Sequence, residues 1–357
     1  MAIFNSDLNP FGLDLSDRVI KIAQLKKKDK ETRLHGFGRE SIPEGIIEDG
    51  EIKNPEELAK TIKGSLKNTK PFPIESKFVV YSIPETKGFI RVIKIPYAEK
   101  EALESAIFSE AEQFFPINLA DAYVDWQIVA NHNNKTLEVL VAAVPQNLVD
   151  SYSEVLTLAG LKPVAVEIES IAITRSLVND NFSKKTILII DLGQDRTGFI
   201  IFKSPAVQFT ASIPVCGKEL NRSIATAFKI DETKAEELKN KCGLSTRGEC
   251  YNVYKAMEYS LNEMIGYINK LMEYYCEHYK EEPEISKVIV CGGEAKIPGL
   301  NSFLSLKIKK EIEKGNPWVN IVSSEAKEIP PISREDSLVF VTVLGLALRG
   351  LEENNCI

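Results

Sequence analysis

Apolar and polar positions along this 357-residue chain fall into one pattern that occurs twice, far apart. Near the start, Leu13-Asp14-Leu15-Ser16-Asp17-Arg18 leads into the apolar-rich run 19–25. In mid-chain, Ile190-Asp191-Leu192-Gly193-Gln194-Asp195-Arg196-Thr197 leads into 198–202. Each copy reads as an apolar strand ending in aspartate, a tight polar turn and a second apolar strand. A third element, 288–294, is an apolar strand that runs into Gly292-Gly293.

Around these landmarks the periodicity predicts the remaining elements. Runs at 11–15, 19–25 and 33–41 form an opening meander. Asn54-Pro55-Glu56-Glu57 starts a helix to about Asn68: Asn54 suits the N-cap, Pro55 the first helical position, and Glu57 favours the N-terminal dipole. A strand follows at 77–83. From Pro84 to Gly160 the rhythm changes to strand (88–95), amphipathic helix (98–115, stopped by Pro116), two strands (122–130 and 136–144) joined by a polar turn, and helix (147–159, ended by Gly160). Beyond Lys184-Lys185 come the second hairpin (187–191 and 197–203), a strand at 207–213, and a helix from Gly217 to about Phe228. The stretch 231–280 is rich in Glu and Lys at helical spacing and ends in a long helix, 251–279. Strands follow at 286–291 and 319–322, and a closing helix at 335–350 is apolar on nearly all sides, hence buried.

The turns carry the candidate chemistry. A turn of small or turn-tolerant residues aims several backbone N–H groups into one concavity, a natural anion site. Ser16, Asp17 and Arg18 form the first; Gly193, Gln194, Asp195, Arg196 and Thr197 form the second. Gly193 permits close approach of a phosphate, and Ser16, Thr197 and the turn amides are donors. Asp14 and Asp191 stand at strand ends, where they suit the waters of a Mg²⁺, an ion that needs only one or two carboxylates. One such hairpin alone is an ordinary turn with a capping aspartate; two, one in each half, point to a nucleotide triphosphate held from two sides. Gly292 and Gly293, followed by Glu294 and Lys296, let backbone approach a flat base. Gly217, Lys218 and Asn221 open a helix that either reaches the ribose or is a plain helix start.

Composition narrows the partners. Hydrophobic residues make up 44% and charged residues 27%, as in an ordinary globular protein, and the net charge of −7 argues against nucleic acid. Lys26-Lys27-Lys28, the densest basic run, reads as a solvated turn. Residues 1–10 lack the apolar segment of a signal peptide, and the longest apolar stretch, 338–348, falls short of the roughly 20 residues that span a bilayer. The six cysteines and three histidines form no C-x-x-C or zinc-type spacing. Scattered cysteines without a secretion signal predict reduced thiols and a cytoplasmic location.

Taken together, these residues resemble the actin-like ATPase superfamily, in which two phosphate loops, an adenosine motif and a closing helix occur in this order. The place of the 84–160 insert is similar to the FtsA-like branch, and nearly the whole chain resembles the PilM family of type IV pilus assembly. The likeness is carried by Phe11-Gly12-Leu13-Asp14-Leu15-Ser16 with Val19-Ile20-Lys21, by Glu110-Ala111-Glu112-Gln113-Phe114-Phe115-Pro116 and Asp125-Trp126-Gln127, by Val141-Ala142-Ala143-Val144-Pro145, and by Gly345-Leu346-Ala347-Leu348-Arg349-Gly350. Ser16 departs from the glycine usual in the first phosphate loop.

The resemblance implies a bilobed α/β actin-like (ribonuclease H-like) fold with an FtsA/PilM-type α+β insert. Residues 1–83 and 161–184 are the first-lobe core, 84–160 the insert, 185–230 and 281–334 the second-lobe core, 231–280 its helical part, and 335–357 a closing helix returning to the first lobe. It also implies ATP with Mg²⁺ bound between the lobes, Lys21 joining the cofactor residues. The partner is the N-terminal cytoplasmic tail of a PilN-like inner-membrane protein, docked by the insert; other platform proteins and self-association are further partners. Phe114, Phe115 and Trp126 serve either as walls of that groove or as core. No residue stands out to orient an attacking water; Gln194 and Asp195 are near the expected phosphates or are only turn residues, so slow or absent turnover is expected. Two alternatives are an FtsA-like polymerising division protein, disfavoured by the short acidic tail 352–357, and a small-molecule kinase, for which no general base emerges.

Overall fold

The computed structural model describes residues 8–28, 31–133, 135–179, 185–279, 284–322 and 330–353. Lys184, the expected start of the second lobe, and the tail 354–357 with Cys356 lie outside the described residues. The chain divides into two compact units. One comprises Met1–Asn179, Ala206–Phe209 and Asn316–Ile357; the other comprises Asp180–Pro205 and Thr210–Gly315.

In the first unit β1 (Phe11–Leu15), β2 (Val19–Lys28) and β3 (Glu31–Ser41) form the expected meander, with Asp14 paired opposite Lys21. Short strands β4 (Ile47–Glu48) and β5 (Glu51–Ile52) precede α1 (Pro55–Lys67). The Asn54 side chain accepts from the Glu57 amide at 3.1 Å, capping α1 where the sequence predicts, and Pro55 occupies the first turn. After β6 (Lys70–Pro71) and β7 (Phe78–Ile83) come β8 (Phe89–Pro96), α2 (Lys100–Ala111), β9 (Ala122–His132), β10 (Thr136–Pro145) and α3 (Gln146–Leu158). The helix expected over 98–115 is shorter because residues 112–114 turn, which carries Phe115 into the core under the sheet. Strand β11 (Lys162–Ile168) and α4 (Glu169–Leu177) then return to the main sheet, whose order is β11-β7-β1-β2-β3-β6. Strands β11, β7 and β1 are parallel, and β1, β2 and β3 antiparallel. Within 84–160, β10 lies antiparallel between β8 and β9.

The second unit repeats this plan. Strands β12 (Thr186–Leu192), β13 (Thr197–Lys203) and β14 (Ala206–Ile213, of which Thr210 onward belongs to this unit) lead to α5 (Gly217–Phe228), α6 (Glu232–Cys242), α7 (Cys250–His278), β15 (Ile285–Cys291), α8 (Leu300–Ile308) and β16 (Glu311–Lys314). Its strands run β16-β15-β12-β13-β14, with β16, β15 and β12 parallel. The first unit's order β11-β7-β1-β2-β3 is the same arrangement, a duplication already visible in the twin hairpins.

Two expectations are corrected. Residues 317–321 form a turn rather than a strand at 319–322, and Trp318 and Ile321 enter the core. The outer neighbour of β15 is β16, whose Glu-Ile-Glu-Lys sequence has no apolar period; its charges suit a sheet edge. The expectation of reduced thiols also fails at one pair. Cys242, ending α6, is disulfide-bonded to Cys250, which opens α7, because the intervening loop brings their Cα atoms to 5.0 Å.

Helices α9 (Arg334–Ser337) and α10 (Val341–Glu353) close the first unit. α10 packs on β1, β2, β7 and α4 and buries Val343, Leu344, Leu346 and Ala347 completely. Gly345 makes this approach feasible, since a Cβ there would overlap the carbonyl of Ala172 in α4. The Arg175 guanidinium locks the contact: it is bidentate to Glu167 at 2.6 Å and donates to the Gly345 carbonyl at 3.2 Å. Among the described residues no helix is long and apolar enough to cross a membrane. Gly345→Ala is expected to lower stability by about 2–3 kcal/mol in urea unfolding, as overpacking does; an unchanged midpoint would show that α10 and α4 do not meet this closely.

Candidate functional site

The candidate residues of the first unit lie at the carboxyl ends of β1 and β7, the end of an open α/β sheet where ligands bind. Asp14 is 2% exposed. Its Oδ2 accepts from Lys21 Nζ at 2.8 Å and its Oδ1 from Ser82 Oγ at 3.2 Å. Antiparallel register sets Lys21 across from Asp14, and parallel β7 delivers Ser82 beside it. A buried carboxylate without such partners would be costly; here it is charge-compensated. Ser16 closes the turn, its amide and Oγ both donating to the Val19 carbonyl at 3.1 and 3.2 Å. The side chains of Asp17 and Arg18 point to other work. Asp17 accepts from the amides of Asp49 and Gly50 at 2.8 and 2.9 Å, and Arg18 pairs with Glu44 at 2.8 Å. The Asp17 amide makes no hydrogen bond among the described residues and is an open donor.

In the second unit Leu192 pairs with Thr197, which leaves a four-residue turn closed by the Gly193 amide on the Arg196 carbonyl at 3.0 Å. Helix α5 docks on that turn: the amides of Gly217 and Lys218 donate to the carbonyls of Gly193 and Gln194 at 3.0 and 2.9 Å. Those two helix amides are therefore occupied. The amides of Gln194 and Asp195 have no partner among the described residues, which leaves them as this turn's open donors. Buried Thr197 gives its hydroxyl to the Val215 carbonyl at 2.6 Å, a structural bond rather than an open donor. Asp191 is half-buried; Cys291 Sγ lies 3.8 Å from its Oδ1, and Gly292 packs against the same oxygen. Asn221 is buried, and its Oδ1 has no hydrogen-bond partner. Gly293 is exposed and Lys296 half-buried on the short helix after the diglycine.

Glu294 joins these parts. Its carboxylate lies over Gly217 together with the Gln194 side chain, so a Cβ at Gly217 would collide with both. Burial pushes the Glu294 pKa up, and Lys239 opposes the shift. The Lys239 ammonium is 0% exposed and sits 2.6 Å from Glu294 Oε2; neither atom has another polar partner. Beside them, Leu192, Cys216, Gly217, Leu261, Met264 and Glu294 enclose a crevice of about 10 Å³, room for at most one water. The Cys216 thiol is likewise pushed up by burial.

Sequence reasoning missed Lys239 and Ser82. Lys239 had a signal: Ala235, Lys239 and Cys242 follow helical spacing and form the buried face of α6. Ser82 lies at the end of a strand otherwise filled by Val79, Val80, Tyr81 and Ile83, a polar interruption at the ligand end. Of the residues proposed to meet a partner, Phe115 is core, Trp126 packs partly against that core, and Phe114 is 40% exposed under the Arg91 guanidinium, 4.5 Å from its ring centre.

Taken unit by unit, the first offers the Asp14 carboxylate, the Lys21 ammonium and the Asp17 amide, and the second the Asp191 carboxylate, the Gln194 and Asp195 amides and the orphaned Asn221 oxygen, group types that suit a phosphate, a hydrated cation or a sugar hydroxyl. The fold to which this set belongs is that of the actin-like ATPases. Among solved structures the chain matches MreB5 of Spiroplasma citri bound to AMPPNP (TM-score 0.59, 12% identity, covering 97% of this chain and 98% of that one). It matches the PilM-PilN type IV pilus biogenesis complex with TM-score 0.80 and 23% identity, covering 96% and 98%. FtsA, the cell division protein, of Pseudomonas aeruginosa is 29% identical over 80 residues, 22% of this chain and 19% of that protein. FtsA of Streptococcus pneumoniae is 21% identical over 332 residues, 81% and 71% respectively. The first of these relatives is thus spanned over less than a fifth of its length. The profile of the type IV pilus assembly protein PilM family matches residues 12–351, and the chain belongs to that family.

Lys239→Met is expected to destabilise the second unit by about 3 kcal/mol, because it strands a buried carboxylate, whereas K239M/E294L returns to within about 1 kcal/mol of the parent. Urea unfolding of both variants measures this; equal losses in the two would mean the pair is not coupled.

Proposed function

We propose that this protein is a cytoplasmic, nucleotide-dependent scaffold of the type IV pilus assembly platform that holds the short cytoplasmic tail of a PilN-like inner-membrane protein. The observation that carries this reading is the family match, which runs through both hairpin turns and through the insert. A structural neighbour of the same kind is a complex with PilN, which supports a PilN-like tail as partner here. The protein reaches the membrane through that partner. A tail of this sort binds extended, through main-chain hydrogen bonds and alternate side-chain pockets, and exposed Phe114 under Arg91, with Trp126 also in the insert, 84–160, supports such a wall.

The cofactor in this reading is ATP with Mg²⁺. Asp14 and Asp191 hold the waters of the metal. The amides of Asp17, Gln194 and Asp195, with Lys21, take the phosphates. The Asn221 oxygen accepts from a ribose hydroxyl, and Gly292, Gly293 and the Glu294–Lys239 pair shape the base side. When bound, the nucleotide supplies a concentrated negative charge; the size of any switch it drives equals its differential affinity for the two conformations. The side chains of Thr197, Asp17 and Arg18 act by holding the turns rather than by touching the ligand. Turnover in this reading is slow or absent, since among the described turn residues none stands out to orient an attacking water.

Two outcomes are expected. Asp14→Ala lowers affinity for a fluorescent ATP analogue in the presence of Mg²⁺ by about tenfold or more, an effect of order 1.4 kcal/mol or greater; retention of parental affinity would remove the first turn from the site. Phe114→Ser weakens calorimetric binding of a PilN-like tail peptide about tenfold while ATP affinity stays the same. Tail binding that survives both this change and deletion of 84–160 in a folded remainder would place the groove elsewhere.

A further inference from the structure

Helix α6 is held in the second unit by a sparse set of contacts. Of its 11 residues only Ala235, Lys239 and Cys242 are buried, and Leu238 is half-buried. It therefore offers its neighbours almost no apolar face. Lys239 is committed to Glu294 at 2.6 Å. A buried ion pair recovers little beyond the cost of taking its charges out of water, so this pair fixes where the helix lies without holding it there firmly. The remaining attachment is covalent. Cys242, the last residue of α6, is bonded to Cys250, the first of α7. Helix α7 is anchored independently, since it buries Val253, Met257, Leu261, Met264 and Ile265. Breaking the bond thus frees α6 and leaves α7 in place.

What the bond governs reaches past the two helices. Gly243 follows Cys242 at φ +53°, and a Cβ there would overlap the Pro298 carbonyl. The next amide, that of Leu244, donates to the same carbonyl at 2.8 Å. The 243–244 turn thereby passes the position of α6 to the segment 292–298, and Lys239 passes it to Glu294. The Glu294 carboxylate in turn lies over Gly217, together with the Gln194 side chain. The bond is also within reach of a reagent. Cys242 is buried, but Cys250 is half-buried and residues 246–249 between them are exposed. Cys216 and Cys291 are free and buried, and Cys276 is free and exposed.

We propose that the Cys242–Cys250 bond is a redox latch: a dithiol reductant opens it, releases α6 and with it Lys239 from Glu294, and so loosens the 292–298 segment beside the second unit's turn. One thiolate of the dithiol attacks Cys250 Sγ, the more accessible sulfur. The S–S bond breaks, and Cys242 leaves as a thiolate that takes up a proton. The reductant's second thiolate then displaces Cys250, which is protonated in turn, and closes the reductant's own disulfide. Two electrons and two protons pass to the protein, and the dithiol is oxidised. In the cytoplasmic setting proposed above, thiol reductants keep such bonds transient, the condition for a switch rather than a permanent staple. The consequence for nucleotide affinity rests on the nucleotide reading of this unit; the latch itself does not.

The test compares the full chain treated with oxidised glutathione and with dithiothreitol, each isolated as monomer so that bonds between copies through exposed Cys276 do not contribute. Alkylation and peptide mass analysis of the oxidised form finds Cys242 and Cys250 protected together. Hydrogen exchange then reads local opening. On reduction, exchange over 232–244 and 292–298 rises about tenfold or more, while 257–265 of α7 and the closing helix α10 stay within about twofold. Cys250→Ala shows the fast pattern with or without dithiothreitol; if that variant does not fold, the two redox states of the parent chain decide by themselves. Affinity for a fluorescent ATP analogue with Mg²⁺ falls about fivefold on reduction. Equal exchange in the two states, a uniform rise along the whole chain, or free alkylation of both cysteines in the oxidised form overturns the proposal. So does equal affinity in a chain that binds the analogue. An analogue that binds neither form overturns the nucleotide reading instead, and the exchange result alone then decides the latch.

Discussion

The packing of α10 against β1 and β2 is the contact on which the first unit's chemistry depends. Each fully buried Val or Leu of α10 contributes about 2 kcal/mol of hydrophobic stabilisation, and that burial is reached only because Gly345 lets the helix lie on the Ala172 carbonyl. The consequence is that β1 is covered along its whole length. Asp14 is then held in a medium of low dielectric, where an unaccompanied carboxylate is unfavourable. Lys21 and Ser82 answer that requirement from the two neighbouring strands. The same burial that makes the aspartate need partners also fixes its position, so a ligand approaching it meets a preorganised group.

A second buried charge centre governs the other unit. Lys239 reaches across from α6 to Glu294, and the loop after α6 is fastened to the same region, since the Leu244 amide donates to the Pro298 carbonyl at 2.8 Å. The Cys242–Cys250 disulfide ties that loop to the start of α7. Helix α6, the 243–244 turn and the segment around Gly292–Pro298 are thereby cross-braced by an ion pair, a hydrogen bond and a covalent bond. A segment so braced opens as a unit rather than residue by residue.

Much of this architecture could be read from residue order. The two hairpins, the capped start of α1, the strand–helix–strand–strand–helix insert and the buried closing helix follow from periodicity, from Asn54-Pro55 and from Gly160. The turn residues were found because polar turns between apolar strands are local signals. What escaped is non-local. Ser82 matters only because β7 lies parallel beside β1, and Lys239 only because α6 folds over Glu294. Cys242 and Cys250 meet through a helix–loop–helix turn that no short spacing rule covers. Asp17, Thr197 and Phe115 show the converse: their residue types suit a ligand, but neighbouring amides, a carbonyl and a hydrophobic core claim their side chains. Strand β16 was overlooked because its charges mask the alternation that usually marks a strand.

That charged strand has an effect of its own. β16 ends the second unit's order, and Glu311 and Glu313 are bridged by Lys287 of β15 at 3.2 and 2.8 Å. An unguarded rim of main-chain groups invites copies of a protein to zip together, sheet onto sheet. Here an incoming strand would have to dismantle that bridge and strip water from the acidic side chains. That border is therefore a poor seed for aggregation when copies of the protein crowd together.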